Sequence, residues 1–400
     1  MQPFQQKFGL KAKKFVVDFL LEPLIPLRRL ESYVIFWAHL VYRIRKPFII
    51  GITGSVGKST TTAMIAAVLS HRDAERIVGP VGFTYSNMND NVGLAATLLR
   101  FDHVFELPWS YSDRVALLLS LPLRAFRVAA GRCYPKVMVL ECGAGSTANL
   151  HQLVKIAPPN IAVVTRIGAA HLELMKTLDG VVQEKSALVR AVSPSGLVVL
   201  GQGHDYVSQF EQVARAPVVK VGGQGVELSQ NITRAVCQHM GIPDAVVSSG
   251  LKDFKSPEGR LNRLELGGMV VIDDTYNANP LSMKLGLDTL ASMAGQGQRR
   301  VAILGGMSEM GEDSSRYHED LGVYARSRAD LLIGVGELSR HYSPDHWFDS
   351  SDACADGIEK LLRSDDCVLV KGSASARMSR VVTKLRQITE QRQQSVPLLA

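Results

Sequence analysis

The sequence predicts an α/β fold in two successive units, and two observations carry that reading. Apolar, β-rich runs recur at Phe48–Ile52, Val137–Leu140, Ile161–Thr165, Leu197–Leu200, Val270–Ile272, Val301–Leu304, Leu331–Val335 and Val368–Val370, with helical stretches between most of them. Continuous apolar strands alternating with helices imply mainly parallel sheets covered by helices on both faces. A polar break at Leu251–Gly259, "LKDFKSPEG", then divides the chain. Beyond the break lie about 140 residues with three or four expected strands, enough for a smaller Rossmann-like α/β domain. The expected division is a basic helical segment at 1–47, a central domain at 48–256 and a C-terminal domain at 257–400. The polar stretch "RQITEQRQQSVPLLA" at the C-terminus is expected to fray.

Composition narrows the class. The 400 residues are 46% hydrophobic and 21% charged, ordinary for a globular protein. The five cysteines are scattered, odd in number and form no CxxC pair, which argues against a disulfide framework or a thiolate zinc site and suits the cytoplasm. The net charge of +7 is uneven: residues 1–47 hold nine Lys/Arg and three Asp/Glu, while the remainder holds 36 basic and 35 acidic residues. A nearly neutral body lacks the basic stripe of a nucleic-acid binder. The N-terminal segment has no apolar run near the roughly 20 residues of a spanning helix. It does show apolar residues at helical spacing, Phe15, Phe19, Leu20, Leu24 and Leu27, then Val34, Trp37, Ala38 and Val41, among many lysines and arginines. Two uses fit: packing on the body or on a second copy, and contact of a peripheral kind with an anionic membrane or a protein partner.

The first chemical motif is "FIIGITGSVGKSTTT", Phe48–Thr62. Thr53, Gly54, Ser55, Gly57, Lys58, Ser59 and Thr60 lie between an expected strand and an expected helix, the context of a phosphate-binding P-loop. Glycine frees backbone N–H groups there, and the helix N-terminus favours an anion. Lys58 would reach the β- and γ-phosphates, and the Ser59 hydroxyl would hold Mg²⁺. The glycine that most such loops carry five residues before Gly57 is Ile52 here. Glu141 closes the run "VMVLE", at a strand tip where open α/β sheets bind ligands, and a carboxylate there can hold Mg²⁺ beside phosphates. His171 in "TRIGAAHLE" follows another strand end, and Lys185 lies in the helical "VVQEKSALVRAV". Spacing alone singles out neither.

Taken in order, GSVGKST, strand–Glu141, AAHLE and EKSAL resemble the Mur ligase family of ATP-dependent amide-forming enzymes. "NMNDNVG" (Asn87–Gly93), "EGRLNRLE" (Glu258–Glu265), "DDTYNANPLSM" (Asp273–Met283), "LGGMSEMGEDS" (Leu304–Ser314) and "LVKGSASARM" (Leu369–Met378) are most similar to the branch that adds D-alanyl-D-alanine to peptidoglycan precursors. In that family the loop reads TG(S/T)xGK(S/T), so Ile52 is a family trait. The resemblance implies two magnesium ions, held by Ser59, Glu141, His171 and Lys185, the last carbamylated by CO₂. It places Asn231 beside adenine and brings Arg260 and Asp274 onto the nucleotide. Asn87, Asn89, Tyr276, Asn277, Asn279, Lys371 and Ser373 would face the substrates, a small-molecule carboxylate and amine.

The implied reaction activates a carboxylate as an acyl phosphate and couples it to an amine. Departures from the family pattern fall on the substrate side. The 47 residues before the P-loop strand are expected to be basic helices rather than a UDP-binding domain. Arg234 stands for the second asparagine of the adenine motif, Ala374 for the arginine after KGS, Gly306 for an aspartate, and Ala148–Leu150 for an acidic stretch. Two alternatives stay open: a divergent ligase-like subunit acting on a non-UDP substrate with a partner protein, and a P-loop nucleotide-dependent binding module.

Overall fold

The computed structural model describes residues 26–85, 88–101, 105–108, 110–144, 149–170 and 172–394. Two six-stranded sheets follow one another along the chain. The first contains β1 (Phe48–Thr53), β2 (Val81–Phe83), β3 (Val137–Glu141), β4 (Ile161–Val164), β5 (Leu197–Gly201) and β6 (Val218–Val221) in the order β2-β3-β1-β4-β5-β6. All of its pairings are parallel. The second holds β7 (Asn262–Leu266), β8 (Met269–Asp274), β9 (Arg300–Gly305), β10 (Leu331–Val335), β11 (His346–Phe348) and β12 (Cys367–Lys371) in the order β11-β10-β9-β12-β8-β7. It is parallel apart from the β7–β8 hairpin.

Alternation along the strands splits the first core in two. Ile49, Met138, Leu140, Ala162 and Val164 face one layer of helices. Ile50, Ile52, Val139, Ile161 and Val163 face the helices Lys58–Leu69 and Gly225–His239. The second sheet is likewise covered on both faces. Both sheets therefore aim the C-terminal ends of parallel strands at loops, the position from which such sheets bind ligands.

Four strands were absent from the expected set: β2, β6, β7 and β11. All are short, edge or hairpin strands with partly exposed residues, so they lack the continuous apolar run of a central strand. The second sheet accordingly has six strands rather than three or four. Of the polar stretch expected to fray, the residues from Arg386 to Gln394 instead continue the helix Ser379–Gln394 and bury Ile388, while residues 395–400 lie outside the described residues.

Ahead of β1, the helix Leu27–Arg45 packs on the body. Leu30, Val34, Ala38 and Val41 are buried at helical spacing, and Val34, Ala38 and Val41 join the first core. Tyr33 Oη donates to Leu118 O at 3.0 Å in the helix Tyr111–Ala130. Lys46 in the left-handed region stops the helix, and Pro47 leads into β1. Phe15, Phe19, Leu20 and Leu24 lie outside the described residues. This helix is thus structural, and Leu30→Ala is expected to destabilise the protein by about 2–5 kcal/mol. Urea unfolding of the two proteins measures it; equal midpoints would show the helix to be dispensable.

Candidate active site

The cavity between the two sheets is about 370 Å³ and takes its walls from both. From the first come Ser55, Gly57, Lys58, Thr60, Asn89 and Glu141; from the second come Arg260, Asp274, Tyr276, Asn277, Asn279 and Lys371.

The loop after β1 is shaped by glycine. Gly54 has φ 148°, and a Cβ there would come within 1.9 Å of Thr165 Oγ1. Gly57, at φ 88°, starts the helix Lys58–Leu69. Thr53 is fully buried at the end of β1. Ser55 N donates to Arg166 O at 2.6 Å, which ties the loop to the end of β4. The Lys58 ammonium donates to Gly54 O at 2.9 Å, and burial lowers its pKa; Glu141 opposes that shift and Arg260 adds to it.

Glu141 sits at the tip of β3, nearly buried. Asn89 Nδ2 donates to Glu141 Oε1 at 3.0 Å, so the asparagine-rich segment aims the carboxylate. Thr84 Oγ1 accepts from Glu141 N at 2.9 Å. Behind this carboxylate, Lys185 is wholly buried in the helix Leu178–Arg190, and its Nζ has no hydrogen-bond partner. Desolvation, with repulsion from Lys58, pushes its pKa down to about 7, against the pull of Glu184, Cys142 and Glu141. A buried, unpartnered amine is costly and needs a functional explanation.

The second sheet closes on the loop. Arg260 Nη2 donates to Ser59 Oγ at 2.7 Å, and its guanidinium lies 3.6 Å from the centre of the Tyr276 ring. Asn279 caps the helix Pro280–Met293 through Ser282 N and reaches Ser55 O with its amide at 3.2 Å. Glu309 O accepts from Glu173 N at 3.2 Å, just beyond position 171. Lys371 pairs with Asp274 at 2.6 Å and donates to Asn277 O at 2.9 Å. Burial lowers the Lys371 pKa, and Asp274 partly restores it.

Six of the expected residues that the structure describes do not line the cavity: Thr53, Gly54, Ser59, Lys185, Asn231 and Ser373. Asn231 donates to Gly222 O at 2.9 Å, and Ser373 bonds Ser308 and Ser375. Arg234 turns outward to Asp244 and Ser248. His171 and Asn87 lie outside the described residues. Sequence reasoning missed Arg166, Glu309 and an apolar wall of Val226, Leu228, Leu261 and Leu285. Arg166 lies two residues beyond the end of β4, so its strand-end position was a usable signal. The wall is indistinguishable from core in sequence.

A phosphate loop on one sheet, faced across a shared cavity by cations of a second, defines a nucleotide-dependent enzyme built from two α/β units. The Mur ligase middle domain matches residues 52–108 and 119–242, and the "Mur ligase, glutamate ligase domain" matches residues 259–374. The chain belongs to the Mur ligase family and is an ATP-dependent ligase that forms C–N bonds. It is 26% identical over 388 residues to the UDP-N-acetylmuramoyl-tripeptide–D-alanyl-D-alanine ligase of Haemophilus influenzae, covering 85% of this chain and 77% of that one. Its fold is similar to that of MurF from Acinetobacter baumannii, at TM-score 0.71 and 21% identity, covering 90% of this chain and 80% of that one. It is also similar to Thermotoga maritima MurF in complex with ADP, at TM-score 0.72 and 21% identity, covering 90% and 84%.

The buried Lys371–Asp274 pair gives a test of the site's electrostatics. Asp274→Ala strands an ammonium and is expected to cost about 3–5 kcal/mol. The double change Asp274→Leu with Lys371→Met removes both charges and recovers most of that loss. Denaturant melts of the three proteins decide; a double variant no more stable than Asp274→Ala would mean the pair is not electrostatically coupled.

Proposed function

We propose that this chain activates a carboxylate of a peptidoglycan precursor, or of a related peptide product, and couples it to an amino acid or dipeptide amine, as a MurF-like ligase with domains at 48–256 and 257–400. The observation that carries the reading is the unpartnered Lys185 amine, buried behind Lys58 and Glu141, which line a cavity that a second sheet closes.

The residues assign themselves roles. The loop N–H groups and Lys58 hold the β- and γ-phosphates. The apolar wall of Val226, Leu228 and Leu285 fits the face of a base, with Asn231 supporting it through Gly222. The donor set suits Mg²⁺: Ser59 and Glu141 offer oxygens, His171 is the family's further ligand, and the buried Lys185 amine is suited to carbamylation. As an ammonium Lys185 would repel a cation, whereas its carbamate supplies anionic oxygen. Magnesium, when bound, neutralises the charge that develops on the transferring phosphoryl group.

The substrate carboxylate attacks the γ-phosphorus of ATP, the bond to the β-phosphate oxygen breaks, and ADP leaves. The amine then attacks the acyl carbon, phosphate leaves, and the amine gives up a proton. Asp274 and Lys371 face this second step, and Arg260 and Asn279 hold the second unit against the loop so that water stays away from the acyl phosphate. A non-UDP carboxylate is the second reading. It is favoured by Gly306, where a Cβ would come within 2.7 Å of Leu338, so the family's aspartate would have to displace that side chain.

Two measurements test this. With ¹⁸O in the carboxylate, label is expected in the released phosphate, and release should require both acid and amine. A screen across UDP-linked peptides, free amino acids and small diacids identifies the pair. Turnover indifferent to every acid and amine offered would sink the ligase reading.

For Lys185 the sign of the pH dependence comes from its lowered pKa of about 7. Above that pH the amine is neutral and takes up CO₂; below it the ammonium does not. Ligation is therefore expected to rise through pH 7 and to fall when bicarbonate is stripped. ¹³C-bicarbonate should give a carbamate resonance that Lys185→Ala lacks. A wild-type spectrum without that resonance, at full activity, would rule the carbamate out.

A further inference from the structure

Among the described residues, two helices on the outside of the first unit leave an apolar face uncovered. Leu27–Arg45 and Tyr111–Ala130 run parallel, side by side: Tyr33 Oη donates to Leu118 O, and further along Arg45 Nη1 donates to Ala129 O at 3.3 Å. Helical geometry puts Phe36, Leu40 and Ile44 on the flank of Tyr33, toward the second helix. Leu119, Leu123 and Phe126 lie opposite the buried Leu121 and Ala125, leaning toward Leu118 and Ala129. The two rows therefore adjoin. They are unusually bare: Phe36 is 58% exposed, Ile44 57%, Leu119 72%, Leu123 62% and Phe126 71%. Scattered exposed apolar residues need no explanation, but a contiguous patch of large ones marks an interaction surface.

The rim of this patch is cationic. Exposed Arg29 and Arg43 edge it on one helix and Arg127 on the other, with Lys46 and Arg132 beyond the helix ends. The acids of these helices are Glu31, which is half-buried, and Asp113, which is bound into the N-cap by Ser110. A symmetric second copy would bring these arginine rows against like charge. An anionic bilayer surface satisfies both features: the apolar rows enter the headgroup boundary while arginines meet lipid phosphates. We propose that this two-helix face docks the protein on anionic membrane from one side. No helix among the described residues is long and apolar enough to cross a membrane, so the contact is peripheral. None of the cavity-lining residues comes from either helix, so the inference does not rest on the reading of the active site.

The test uses the full chain with vesicles of phosphatidylglycerol and phosphatidylcholine, and with phosphatidylcholine alone. Sedimentation is expected to show binding to the anionic vesicles that weakens with salt. Leu123→Asp with Phe126→Asp, and separately Arg43→Glu with Arg127→Glu, should each weaken it on the order of tenfold or more. Phosphate release from ATP should be unchanged in both. Binding to anionic vesicles that survives the paired aspartates would overturn the proposal. So would a failure of the wild type to bind them, with either of two explanations. A dimer split by the same aspartates would identify a second copy as the occupant. A lowered melting temperature in those variants would identify residues 1–25 of the chain.

Discussion

Three lysines around one cleft, Lys185 and Lys371 fully buried and Lys58 half-buried, set the terms for the rest of the molecule. Lys58, Lys185 and Lys371 all lose solvent, and burial lowers the pKa of each. Lys371 has Asp274, and Lys58 has a loop carbonyl with Glu141 nearby, but Lys185 has no hydrogen-bond partner. Isolated ammonium groups in low dielectric cost several kcal/mol, so a fold that gathers them needs anionic density in return. Nucleotide phosphates and an acyl phosphate supply it. The glycine turn at Gly54, the tip of β3 and the cap at Asn279 can all be understood as parts that hold these charges at the distances such ligands require.

The arrangement also explains why the chain uses two sheets. Parallel strands send their C-terminal ends to one edge, so each sheet supplies a single row of loop residues. One row can hold phosphates, but an acyl phosphate must also be covered from water and presented to an amine. The second row does this through direct contacts to the first: Arg260 to Ser59, Asn279 to Ser55, and the Glu309 carbonyl to Glu173. Each contact meets the P-loop or the segment after position 171, which is where coupling between the half-sites has most effect.

Central strands and the phosphate loop were legible because each carries a strong local rule. A fully buried parallel strand must be apolar throughout, and a loop that wraps phosphate must have glycine where a Cβ would clash, as at Gly54. Edge strands β6, β7 and β11 answer to no such rule and were lost. Lys185 is the reverse case: in sequence it is one more helical lysine, and only the packing around it, with no partner for its nitrogen, makes it unusual. Asn231 was singled out by motif alone, and the contact its side chain makes was not legible. Its side chain supports Gly222 rather than lining the cavity, and its companion Arg234 is committed to Asp244.

The departures from the family pattern then sort by mechanism rather than by position. On the proposed reading, the residues that would meet phosphate and its metal, Gly54, Gly57, Lys58 and Glu141, are constrained by a ligand common to every ATP-dependent member. On the same reading, residues that would meet the acceptor and amine answer to a ligand that differs between members, and the family pattern is departed from at Gly306 and Ala374. Gly306 is informative because the change is packed in: Leu338 fills the space an aspartate would need, and Gly306 O accepts from Ser373 N at 3.1 Å. Restoring the acid would require Leu338 to move. A carboxylate lost by drift would leave a gap, whereas here the space beside Gly306 is taken by apolar contact with Leu338, so the departure from the family pattern is built into the packing of the second unit.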